Sequence, residues 1–172
     1  MIREKTVFFS GHRPERFPKY EPEEFKALIA RLRTSISEAI DIGYSHFICG
    51  MASGWDIMSG EAVLYVRKNS KLHITLELAI PFQGHPDRRK LTSKDKSRYD
   101  YLLKEADTVT FYNESYYKGV FNDRDIYMAD SSTLLICFWD GGPGGTSRAV
   151  KYALEQKLKI INLYDGKEMV NA

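Results

Sequence analysis

At 172 residues, with 43% hydrophobic and 28% charged side chains, the chain has the size and composition of one globular domain rather than a disordered segment. A chain this long buries about 70% of its unfolded surface and needs no disulfide or structural metal to be stable. Its 25 basic and 23 acidic residues leave a net charge of +2, so nothing in the overall balance draws it to nucleic acid or an anionic membrane. Cys49 and Cys137 sit in or beside apolar runs and read as buried thiols of a reducing compartment. The start, Met1-Ile2-Arg3-Glu4-Lys5, lacks the apolar stretch of a signal peptide, and no run approaches the roughly 20 apolar residues of a membrane span. The expectation is a cytoplasmic protein.

Residues 6–10 (TVFFS) form a β-branched and aromatic run that ends at Gly11, a first strand. Residues 21–42 carry apolar side chains at Phe25, Leu28, Ile29, Leu32, Ile36, Ala39 and Ile40, the three-and-four spacing of a helix with one buried face. Pro22 suits its first turn and Gly43 its end. A second strand follows at 46–49 (HFIC), then a helix at 55–69. Residues 72–80 (LHITLELAI) alternate between apolar positions and His73, Thr75 and Glu77, which predicts a third strand with one wet face, at a sheet edge. A helix at 94–106 and a strand at 108–112 come next. A short helix at 123–129 precedes 133–139 (TLLICFW), apolar almost throughout, as a strand buried on both faces must be. A helix at 146–156 and a strand at 159–163 complete the pattern.

Strands alternating with helices predict one α/β domain over residues 1–172, a Rossmann-like open parallel sheet with helices on both faces. A strand order 3-2-1-4-5, with the sixth beyond the fifth, satisfies the patterns. In such sheets ligands bind beyond the carboxyl ends of the strands, near the point where strand order reverses.

Three loops fall there: Ser10-Gly11-His12-Arg13-Pro14, then Gly50-Met51-Ala52-Ser53-Gly54-Trp55-Asp56, then Asp140-Gly141-Gly142-Pro143-Gly144-Gly145-Thr146. Glycine lets a backbone approach a ligand closely, and the free N–H groups of a helix's first turn favour phosphate. The third loop carries four glycines within 140–145, more than a turn needs, although Thr146 as a plain N-cap remains the simpler alternative. Neither glycine loop is a Walker motif or a GxGxxG fingerprint. Arg13 is either the natural countercharge for a phosphate or a solvated loop arginine, and Arg124 either a second countercharge or a member of a surface ion pair. Ser53 and Asp56 are placed equally well to cap a helix, and Trp55 and Trp139 either to stack on a base or to pack in the core. The four histidines show no ligand spacing, so no metal site is expected. The basic stretch around Arg88, Arg89, Lys90, Lys94, Lys96 and Arg98 is diluted by Asp87, Asp95 and Asp100 and reads as a solvated face, which makes nucleic acid an unfavoured partner.

The early GHRP, the GMASGWD loop, the segment Tyr127-Met128-Ala129-Asp130 and the WDGGPGGT loop, in this order, resemble the YpsA-like family of bacterial proteins. That family belongs to the SLOG superfamily, which unites the DNA-uptake protein DprA with the LOG cytokinin-activating enzymes. The resemblance implies a Rossmann-like domain that binds a nucleotide-derived ligand such as ADP-ribose, NAD or a nucleoside monophosphate. It places Gly50 to Gly54 and Gly144 to Thr146 along the site, and suggests a homodimer. LOG enzymes carry a PGGxGTxxE motif whose Glu serves catalysis; the position three beyond Thr146 is Ala149, which argues against LOG-type phosphoribohydrolysis. The reading is therefore a ligand-binding sensor or regulatory module. The alternatives are a nucleotide hydrolase, with Asp56, Glu61, Asp130, Asp140 or His12 as acid or base, and a DprA-like binder of single-stranded DNA.

Overall fold

The computed structural model describes residues 3–86 and 91–167. Asp87, Arg88, Arg89 and Lys90 lie outside the described residues, and with them three of the six basic residues singled out above. The elements in chain order are β1 (Thr6–Gly11), α1 (Pro22–Asp41), β2 (His46–Cys49), α2 (Trp55–Asn69), β3 (Thr75–Phe82), α3 (Ser93–Glu105), β4 (Thr108–Asn113), α4 (Val120–Asp130), β5 (Leu134–Phe138), α5 (Gly145–Glu155) and β6 (Lys159–Asn162). The strands pair in parallel in the order β4-β3-β2-β1-β5-β6. The chain builds outward from β1 to β4, then α4 carries it back to lay β5 against the other side of β1.

Two cores follow from this path. Leu28, Leu32 and Ile36 of α1, Met58 and Val63 of α2, and Tyr99 and Leu102 of α3 cover one face of the sheet. Met128 and Ala129 of α4 with Val150 and Ala153 of α5 cover the other. Buried on both faces, β5 is apolar throughout for that reason, and β1 beside it carries Val7, Phe8 and Phe9 at its centre. The start of α1 is closed by a capping box between Glu21 and Glu24, with Pro22 at its first position, as its sequence anticipates.

The 3-2-1 run and the sixth strand beyond the fifth are as expected. What differs is β4, which pairs with β3 at the outer edge rather than with β1. Its side chains explain the position: Val109, Phe111 and Tyr112 remain exposed, which a strand beside β1 could not allow. This moves β3 inside the sheet, and its alternation has another cause than water. Glu77 is only 1% exposed, and its carboxylate accepts hydrogen bonds from Tyr127 of α4 (2.6 Å) and Thr110 of β4 (3.1 Å), with His46 Nε2 3.0 Å away. Burial pushes this carboxyl up, but the three polar partners outweigh it and hold it below the usual range. Both cysteines are free and buried. No helix among the described residues is long and apolar enough to cross a membrane.

Candidate functional site

The strand order reverses between β1 and β5, so the loops leaving them splay apart and open a crevice at their carboxyl ends. Two connected lobes of about 380 Å³ each occupy it. They share Arg13, Ala52 and Phe121. One lobe is polar, the other aromatic.

The polar lobe is built on the start of α5. Gly144 enters the helix at φ +138°, a left-handed conformation that favours glycine, and offers no side-chain cap. The helix ladder begins with the Arg148 N–H on the Gly144 carbonyl. The N–H groups of Gly145, Thr146 and Ser147 before it have no acceptor among the described residues. A Cβ added at Gly145 would meet nothing nearer than Arg148 Nη2 at 3.9 Å, so this glycine faces open space. Arg13, Arg16, Arg124 and Arg148 bring positive charge to the same lobe. Free amides at a helix start, ringed by guanidinium groups, are suited to an anion.

The second glycine loop does different work. At the start of α2 the Trp55 N–H donates to the His12 carbonyl (3.2 Å) and the Ala52 N–H to Asp56 Oδ2 (3.2 Å). A Cβ on Gly54 would lie 2.7 Å from the His12 carbonyl oxygen, and one on Gly50 2.8 Å from Asp56 Oδ2. Gly54 lets the first two loops pack on each other, and Gly50 leaves room for Asp56 and Arg124. Gly11, although it reaches the polar lobe, is held against Trp55, whose ring an added Cβ would meet at 2.4 Å. Trp55 itself is fully buried, stacks on Phe138 at 5.1 Å and donates to the Ile136 carbonyl, so it packs in the core.

Asp140 also turns away from the lobes. Its carboxylate takes two hydrogen bonds from Arg16 (3.1 Å each) and one from the Gly142 N–H (2.9 Å), with His12 Nε2 2.8 Å away. Arg16 further donates to the Pro143 carbonyl, and Trp139 to that of Gly142. The loop is thus tied back on β1 and delivers Gly145 to the crevice. Burial pushes the His12 imidazole down, and Asp140 only partly opposes this.

Beneath the polar lobe lies a buried charge cluster. Arg124, 4% exposed, donates to the carbonyls of Gly50 and Ala79 (3.0 Å for the latter) and to Asp125 Oδ1 (2.8 Å). Asp56 stands opposite, 5% exposed. Burial pushes its carboxyl up to about 7, with Asp125 adding to the rise and Arg124 opposing it. Burial raises Asp125 as well.

The Asp56 shift predicts a pH dependence. The folded carboxyl holds its proton up to about pH 7 and the unfolded one only to about pH 4, so the folded state binds more protons between these values. Stability should therefore fall as pH rises through this window. Asp56→Asn removes that slope, worth on the order of a few kcal/mol. Melting temperatures of both proteins between about pH 5 and 8 check it: parallel curves would mean that Asp56 titrates normally.

Met51, Ala52 and Ser53 line the aromatic lobe with side chains that motif reading did not single out: Phe82, His85, Tyr99, Tyr116 and Phe121. Phe82 ends β3 and Phe121 opens α4, so both stand at the carboxyl edge of the sheet. Aromatic residues just past a strand end were the available signal. Arg98, from the basic stretch, donates from Nε and Nη2 to Glu61 (2.7 Å each), and its Nη1 lies 3.5 Å from Asp95. It is not free for phosphate. Among the described residues no group of three His, Cys, Asp or Glu could hold a metal.

An all-parallel sheet with its cavity at the reversal point defines a Rossmann-like ligand-site architecture. The chain belongs to the YspA SLOG family, whose family model matches residues 7–166. No curated protein matches it significantly.

Proposed function

We propose that the chain binds a phosphate-bearing, nucleotide-derived ligand such as ADP-ribose, NAD or a nucleoside monophosphate, and acts as a sensor or regulatory module. The observation that supports this best is the meeting of the open Gly145 and Thr146 amides with Arg13 and Arg148 at one cavity wall. Occupancy would be relayed to a partner or to a second copy of the chain. Calorimetric titration of the full chain with these compounds tests the reading. Arg148→Ala should weaken the one that binds by about tenfold, a loss of about 1.4 kcal/mol. If none binds, or if the variant loses nothing, the reading falls. Native mass spectrometry of the purified protein reads a co-purified nucleotide and the subunit count together.

One observation favours a second reading, hydrolysis of the bound nucleotide. Asp56 is a buried carboxyl in the polar lobe whose proton is exchangeable near neutrality, a property of general acids and bases. Release of base or phosphate from nucleoside monophosphates, lost in Asp56→Asn, would support it. Absence of turnover at high protein concentration removes it and leaves binding.

A further inference from the structure

We propose that the aromatic lobe is a base-binding subsite of the same cavity and that it takes a guanine-type ring. The inference rests on the phosphate reading above and narrows its ligands to a guanine nucleotide in place of the adenine-bearing ADP-ribose and NAD, because the lobes meet at Arg13, Ala52 and Phe121 and one ligand would span both. Four rings from separate parts of the chain gather there. Phe82 lies 5.6 Å from Tyr116, 6.1 Å from Phe121 and 5.5 Å from His85, and His85 lies 5.7 Å from Phe121, all near edge-to-face. Met51 and Ile57 add apolar wall. A concave lobe of rings and apolar side chains suits a planar heterocycle and gives little to a sugar or a phosphate.

The polar groups of the lobe narrow the choice of ring. Asp95 brings a carboxylate to it. Arg98 approaches that carboxylate only to 3.5 Å while its shorter bonds, 2.7 Å, go to Glu61, so Asp95 keeps capacity to accept. A carboxylate accepts two parallel N–H bonds well, and guanine presents its ring N–H and amino group side by side. Adenine sets a ring nitrogen lone pair beside its amino group, which a carboxylate repels. The buried Nδ1 of His85 has no partner among the described residues. Burial, then Arg124 and Arg13, hold this imidazole down to about 4, so it stays neutral beside the ring.

Calorimetric titrations of the full chain with guanosine monophosphate, adenosine monophosphate and ribose 5-phosphate test the assignment. The guanine nucleotide should bind at least about tenfold tighter than ribose 5-phosphate and several-fold tighter than the adenine nucleotide. Tyr116 is 62% exposed and lines only the aromatic lobe, so Tyr116→Ala leaves the fold intact. It should cut the guanine nucleotide's advantage without changing ribose 5-phosphate binding, and Asp95→Asn should narrow the gap between the two bases. Equal binding of ribose 5-phosphate and the guanine nucleotide overturns the base subsite and leaves the phosphate reading standing. An adenine nucleotide that binds as tightly overturns the guanine assignment. If no phosphate compound binds at all, both fail together.

Discussion

Arg124→Met is expected to destabilise the protein by about 3–5 kcal/mol, enough to unfold a domain of ordinary stability at moderate temperature. The guanidinium ties three places together: the β2 end at Gly50, β3 at Ala79, and Asp125 on its own helix. Removing it leaves Asp125 buried without its countercharge, takes the opposing charge away from Asp56, and leaves the Gly50 and Ala79 carbonyls short of a donor. Methionine fills much of the volume but supplies none of the bonds. Urea denaturation measures the loss, and Arg124→Met combined with Asp125→Asn should recover part of it by removing one orphaned charge. A loss below about 1 kcal/mol would show that the cluster is not held by this guanidinium.

Gly145→Val is expected to do the reverse, leaving stability nearly unchanged while cutting affinity for a phosphate ligand by about tenfold or more. Gly145 opens α5, and its missing Cβ borders empty space rather than protein. Valine is no worse than glycine as a helix former, so the fold has no reason to object. The added methyls, however, would stand over the open amides of the first turn and displace an anion from them. The same change at Gly54 would be uninformative, since a Cβ there collides with the His12 backbone and costs stability first. A binding curve unaltered by Gly145→Val would mean that the ligand does not use this helix start.

Both experiments turn on a distinction among glycines that composition cannot make. The loops carry them in similar numbers, yet Gly11, Gly50 and Gly54 serve close packing and only Gly145 presents open room to the cavity. Likewise Arg13, Arg124 and Thr146 line the polar lobe, whereas Asp140 is spent on tying its loop to Arg16. Trp55, one of the two large rings beside the glycine loops, went to the core; the rings that border the cavity are Phe82, His85, Tyr99, Tyr116 and Phe121. They lie in three different segments and meet only because β4 pairs with β3.

The sequence by itself determined the order of strands and helices along the chain, the parallel α/β class and the glycine-rich entry into the last helix. Those follow from spacing and composition within windows of a few residues, where side chains three or four apart already share a face. Tertiary structure alone decided that β4 is the edge, that Glu77 is buried among hydroxyls rather than wet, and that Arg124 reaches Gly50 across 74 positions. Such pairings depend on which surfaces remain to be covered once the sheet is assembled. No local pattern carries that information.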